Sequence, residues 1–314
     1  MILNLFVELI RPSNNIENNE QGLNPAGIQK DFVKTLYSFG LKEEWIKQSK
    51  RGGTVQYKVK LPQDIPVPSI LSELNENLLY KGIKIKSQEV KINGNAKIEI
   101  ADNNKTALKA EFIYDSDIQR KSSEFGIILL DITDLSSEEL QQVLNFPVSF
   151  SALIVPNDEN KDLITSLEKY GKEYASLLNN DVQVNNFELD PDYSKVRLKA
   201  AVAQIASNFS GSKLFMYDAE SDLAKSSTFA FVKGEFKKRG IELVRNNKHK
   251  LLKSNSAEEL ASLLRFYVDS GQHENEVFAF NAEDFLSVKG EFLALKKKGV
   301  KFVLPSLLNY GLSD

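Results

Sequence analysis

The chain of 314 residues has no cysteine, which excludes disulfides, thiol nucleophiles and cysteine-ligated metals. It also has little excess charge of either sign. Lys and Arg number 40 against 43 Asp and Glu, giving a formal net charge of -3 and a pI near 5.7. Neither the total nor any long basic stripe suggests a nucleic-acid binder that works through bulk electrostatics, and no such partner is expected. Long hydrophobic runs are missing as well. The opening MILNLFVELI is too short to span a bilayer and lacks the basic region and small-residue cleavage site of a secretory signal. No membrane-spanning segment is expected, and the chain reads as cytosolic or as a mature form of an exported protein. No glycine-rich phosphate loop or dinucleotide fingerprint occurs, so no nucleotide or other cofactor is expected.

What remains is an ordinary globular composition, 42% hydrophobic and 26% charged, with room for two domains. Residues 1–24 read as a flexible amino-terminal segment, with an Asn-rich stretch at 14–22. From 25 onward, Ile28, Phe32, Leu36 and Phe39 recur at helical spacing up to Gly40. Gly52 and Gly53 introduce TVQYKVKLP, in which apolar and polar residues alternate as in a half-buried strand. Ile70, Leu71, Leu74 and Leu78 trace a second helix that ends near Gly82. The segment 83–92 then turns at Asn93-Gly94 into 96–101, and a further turn at 102–105 leads into 107–114. Residues 25–115 therefore predict a small α+β domain with helices on one face of a mostly antiparallel sheet. Its expected role is structural or protein-binding. The polar stretch 116–124 reads as the linker.

Residues 125–314 repeat strand, helix and strand about seven times, as an α/β barrel or doubly wound sheet would. The first cycle, FGIILLDITDLSSEELQQVLNFPVSFSALIVP, is the best specified. Its run 127–130 suits a parallel strand covered on both faces, and Asp131 stands at the carboxyl end, where such sheets place their chemistry. Ser136 or Ser137 can cap the next helix, with Glu138 and Glu139 in its first turn. Later helices are read at 162–170, 192–209, 229–239, 257–270 and 283–298, and strands at 174–178, 277–280 and 301–304.

In IILLDITDL, NFPVSFSALIVP, EFKKRGIELV and the late GVKFVLPSLL, the order of residues resembles the divergent polysaccharide deacetylases, relatives of the NodB-type carbohydrate esterases. The resemblance covers roughly residues 125–311, and the strand ending KLPQDIP resembles the small module that precedes this domain in some members. It implies a distorted (β/α) barrel of about seven strands after a small α+β domain, with a metal site at the strands' carboxyl ends. There, in the family, aspartate and histidine hold a divalent ion while a second aspartate acts as base.

Carried onto this chain, that motif set comes through degenerate. The base position falls on Asp131, but the metal-ligating aspartate falls on Ile132. A histidine of the third strand falls near Leu177, and the Asn-His pair of a later strand falls on Leu214 and Phe215. A further aspartate falls on Arg245 and the last histidine near Phe280. The only histidines, His249 and His273, lie in KHK and GQHEN, which read as exposed loops. No metal is therefore expected. Asp131 and Asp134 remain as candidate catalytic carboxylates, against the blander reading that Asp131 holds a turn and Asp134 or Ser136 caps a helix. The resemblance thus implies a deacetylase-like protein without catalysis, a pseudoenzyme serving as an interaction or scaffold module for a protein or glycan partner at the cell envelope. A residual metal-dependent esterase and a glycan-binding module are the alternatives. Extracytoplasmic localisation follows from the resemblance alone, with the cytoplasm as the alternative.

Overall fold

The computed structural model of the protein describes residues 6–8, 25–78, 83–89, 94–102, 105–120, 123–178, 186–246, 249–270 and 275–308. The expected loop at 14–22, the helix end at Gly82, Asn93 and His273 lie outside these residues. The chain divides into two units, Met1–Lys121 with Lys297–Gly299, and Ser122–Lys296 with Val300–Asp314. Among the described residues no helix is long and apolar enough to cross a membrane.

The first unit contains β1 (Phe6–Glu8), α1 (Pro25–Ser38), β2 (Ile46–Arg51), β3 (Thr54–Leu61), α2 (Val67–Asn77), β4 (Ile83–Glu89), β5 (Ala96–Asp102) and β6 (Lys105–Tyr114). Its six strands are ordered β1-β4-β5-β6-β3-β2. Every pairing is antiparallel except that of β3 with β6. The helices cover one face: Ile28, Phe32 and Leu36 of α1 and Ile70 and Leu74 of α2 are fully buried with Val59, Leu61, Ile100, Leu108 and Phe112 of the sheet. Each such side chain contributes about 1.5–3 kcal/mol of burial free energy.

β4 and β5 pair antiparallel with Glu89 opposite Ala96, and the expected Asn93-Gly94 turn lies in a connection whose residues 90–93 are outside the described ones. β2, IKQSKR, was not legible because every residue after Ile46 is polar and exposed. It forms because Gly52 and Gly53, at φ 57° and 82°, supply the two left-handed positions of a tight hairpin that pairs Arg51 with Thr54.

The second unit runs β7 (Glu124–Leu130), α3 (Ser137–Asn145), β8 (Ser151–Ile154), α4 (Lys161–Lys169), β9 (Glu173–Leu178), α5 (Lys195–Asn208), β10 (Leu214–Tyr217), α6 (Asp222–Lys225), α7 (Phe229–Lys237) and β11 (Leu243–Arg245). It continues with β12 (Lys250–Leu251), α8 (Ala257–Asp269), β13 (Val277–Asn281), α9 (Ala282–Ser287), α10 (Lys289–Lys298) and β14 (Lys301–Val303). Helices end where expected, except that the helix read at 283–298 is broken at Val288.

All pairings in this unit are parallel. Seven strands follow the path β11-β10-β9-β8-β7-β13-β12, and β14 adds to β7. The sheet is curled into a half-barrel with edges at β11 and β12, so the expected seven-strand barrel is present as an open one among the described residues. β7 is its axis. One edge pairs with β13 over Gly126–Leu130; the other is shared, with β14 taking Glu124–Gly126 and β8 taking Ile128 and Leu129.

The two faces of this sheet carry different cores. Its convex face packs under the helices through Phe125, Ile127, Leu129, Phe215, Phe278 and Phe280. The concave face carries a smaller cluster of Ile128, Ala175, Met216, Val244, Val277 and Ala279. Gly126 leaves little room on this face, since a Cβ there would stand 2.9 Å from Val277 Cγ2 and 3.0 Å from Leu308 Cδ1.

Candidate functional site

In a parallel half-barrel the carboxyl ends of the strands form the mouth where sites are built. Which side chains line the hollow beneath it is set by the two-residue alternation of each strand. On β7, Ile128 and Leu130 belong to the concave side; on β9, Ala175 and Leu177; on β10, Leu214 and Met216; on β13, Val277 and Ala279. Leu130, Leu153, Leu177 and Leu214 are only partly buried, so the concave wall presents aliphatic surface.

Asp131 ends β7 in the left-handed region at φ 52°, ψ 27°, a conformation that short polar side chains tolerate better than others. Its carbonyl accepts the Asp134 N–H at 3.1 Å, closing a 3-10 turn over Ile132–Asp134. Both aspartates are exposed, and the Asp134 carboxylate accepts the Thr133 hydroxyl at 3.2 Å. The following helix starts with a full capping box: Ser136 Oγ accepts the Glu139 N–H at 3.3 Å, and Glu139 Oε2 accepts the Ser136 N–H at 3.0 Å. The Ser136 hydroxyl, which donates to Glu139 Oε2 at 2.6 Å, and then the Ser136 N–H lower the pKa of the Glu139 carboxyl.

The other positions singled out in sequence do not converge. Ile132 is 1% exposed and packs with the convex-side core, as do Phe215 against Phe236 and Phe280 against Phe285 and Phe292. Leu177 and Leu214 face the concave side. Arg245, at the end of β11, is exposed and donates from Nε to the Tyr217 hydroxyl at 3.2 Å. Sequence reasoning passed over Asp218, which follows β10, and Asn281, which ends β13. The Asp218 carboxylate is engaged locally, accepting the Glu220 N–H at 2.8 Å. Position after a strand was the available signal for both. His249 is half-buried and not exposed as expected, because it leads directly into β12; burial lowers its imidazole pKa.

Among the described residues no group of three or more His, Asp or Glu side chains is placed to hold a metal ion. Among the described residues the strand ends offer Asp131, Asp218 and Asn281 beside leucines, and that set, without a histidine, does not fit a divalent metal that polarises a carbonyl.

The fold resembles that of family 4 carbohydrate esterases. The Streptomyces lividans enzyme, solved with acetate, aligns at 12% identity over 59% of this chain and 94% of its own, with a TM-score of 0.41. A family 4 pseudoenzyme from Bacillus anthracis aligns at 12% identity over 68% of this chain and 83% of its own, also with a TM-score of 0.41. The peptidoglycan deacetylase of Bacillus subtilis aligns at 10% identity over 61% and 92%, with a TM-score of 0.37. No family model matches the sequence, and no curated protein does.

Proposed function

We propose that this protein is a polysaccharide-deacetylase-like module that does not perform metal-dependent hydrolysis and that acts as an interaction or scaffold element at the cell envelope. One observation carries the reading. Leu130, Leu153 and Leu177 lie on the concave side toward the carboxyl ends of β7, β8 and β9, where metal-assisted hydrolysis of an acetamide requires nitrogen and oxygen donors. Aliphatic groups there cannot polarise a carbonyl or position a hydroxide, but they suit contact with a partner. Asp131, in its left-handed turn, serves the chain reversal between β7 and α3.

The test is metal analysis of the purified protein together with acetate release from chitooligosaccharides and peptidoglycan fragments. Substoichiometric metal and no acetate release are expected. Stoichiometric zinc with acetate release that disappears in Asp131→Ala overturns the proposal.

A further inference from the structure

The face of the first unit's sheet opposite α1 and α2 is cationic, although the whole chain carries a net charge of -3. A shallow trough of about 620 Å³ crosses it and is lined by Arg51, Lys58, Lys86, Lys97 and Lys109, with only two carboxylates, Glu99 and Glu111. The strand register sets these groups in two rows. One row runs Glu8, Lys86, Glu99, Lys109, Gln56 and Ser49 across β1, β4, β5, β6, β3 and β2, so that basic positions outnumber acidic ones on β4 to β2 while Glu8 stands at the β1 edge. The next runs Gln88, Lys97, Glu111, Lys58 and Lys47.

The two acids are already engaged. Glu99 accepts Thr106 Oγ1 at 2.5 Å and pairs with Lys109 at 3.3 Å, while Glu111 lies 3.9 Å from Lys97. Lys47, Lys58 and Lys86 have no ion-pair partner among the described residues. Moreover, Lys47 and Lys58 are direct partners in the β2–β3 ladder, an arrangement of like charges that weakens a sheet. A merely solvated face gains nothing from that repulsion, whereas an anionic ligand relieves it.

We infer that this sheet face binds an anionic polysaccharide, a chain bearing carboxylates on its sugars. Strands about 4.8 Å apart, with same-face residues about 7 Å apart along each, present a grid of ammonium groups to a polymer that carries regularly repeated single charges. Between them, Gln56 and Ser49 match sugar hydroxyls. Nucleic acid is disfavoured because Phe112 and Tyr114 pack with the helix-covered core, and Tyr57, although it borders the trough, is 5% exposed with its ring 5.0 Å from that of Phe32, which leaves no open stacking platform. A bilayer is disfavoured because the trough is concave and none of the exposed large apolar side chains among the described residues lies on these strands. The inference concerns the first unit and stands whatever the half-barrel does.

The experiment measures binding of a fluorescein-labelled galacturonate decamer to the full chain by polarisation. The expected result is binding at low salt that weakens steeply at about 300 mM salt. The Lys58→Gln/Lys86→Gln variant should lose about tenfold in affinity, while Lys237→Gln/Lys253→Gln, on the second unit, retains it. Circular dichroism melts of each variant establish that it is folded, and Lys47→Gln alone supplies a milder test if the double variant is not. No binding by the wild type, or binding unchanged in the face variants, overturns the inference. Preferential binding of oligothymidylate, of neutral chitohexaose or of vesicles containing phosphatidylglycerol overturns it as well.

Discussion

Ser306 holds the Glu173 carboxylate with both of its donors, the backbone N–H on Oε1 at 3.2 Å and the hydroxyl on Oε2 at 2.7 Å. The contact ties the turn Pro305–Leu307, after the last strand, to the amino-terminal end of β9. Glu173 is only 5% exposed, and its desolvation raises the carboxyl pKa although the Ser306 bonds and the charge of Lys213 act in the opposite direction.

A pKa higher in the folded than in the unfolded chain means that the folded state binds more protons across that window. Stability therefore falls as pH rises from the ordinary glutamate range through the raised value, and is constant above it. Glu173→Gln, which cannot ionise, should gain in melting temperature relative to the wild type as pH is raised from about 4 to 8. Calorimetric melts at several pH values check this. A difference that is independent of pH would exclude the titration.

Asp131 occupies its left-handed position at φ 52° without a carboxylate partner among the described residues. Asp131→Gly and Asp131→Asn should therefore stay within about 0.5 kcal/mol of the wild type, and Asp131→Val should lose about 1–2 kcal/mol. Urea denaturation gives the three values. If the carboxylate had a required partner, Asp131→Asn would be the damaging change instead.

Phe280 and Leu177, near which the family resemblance would set two histidines, lie on opposite faces of the sheet, Phe280 with the convex-side core and Leu177 on the concave side. Phe280 is completely buried. Phe280→His should cost about 3 kcal/mol or more by leaving a cavity and an unpartnered imidazole, with no gain in zinc affinity. Leu177→His, at the partly exposed wall, should cost about 1 kcal/mol. Equal costs, or zinc uptake by Phe280→His, would contradict this placement.

Gly126 faces Val277 and Leu308, and the backbone Cα of Pro305 lies 3.3 Å from where its Cβ would be. Side chains can yield but that backbone resists, so Gly126→Ala should destabilise by about 1–3 kcal/mol. The shift of the urea midpoint at unchanged slope is the readout. A neutral substitution would mean that the turn at Pro305 moves freely.

The alternating β/α order was legible because parallel strands covered on both faces need continuous apolar runs such as Ile127–Leu130, and because caps such as Ser136 with Glu139 are local chemistry. β2 was not legible, since an exposed edge strand needs no apolar residue. The break at Val288 was hidden inside an unbroken helical pattern.

For the site, the sequence by itself determined which residue types are available: no cysteine, two histidines, and aliphatic or aromatic residues at the strand ends where the family resemblance calls for ligands. Tertiary structure alone decided which of these face the mouth. Strand parity is fixed only when a strand's first paired residue is fixed, and a shift of one residue exchanges the two faces. It therefore sent Phe215 and Phe280 under the helices while Leu177 and Leu214 lined the wall. The same register, acting across five strands of the first unit, gathered lysines scattered between positions 47 and 109 into one cationic face. No stretch of sequence shows that gathering, because pairing distant segments is what brings their charges together.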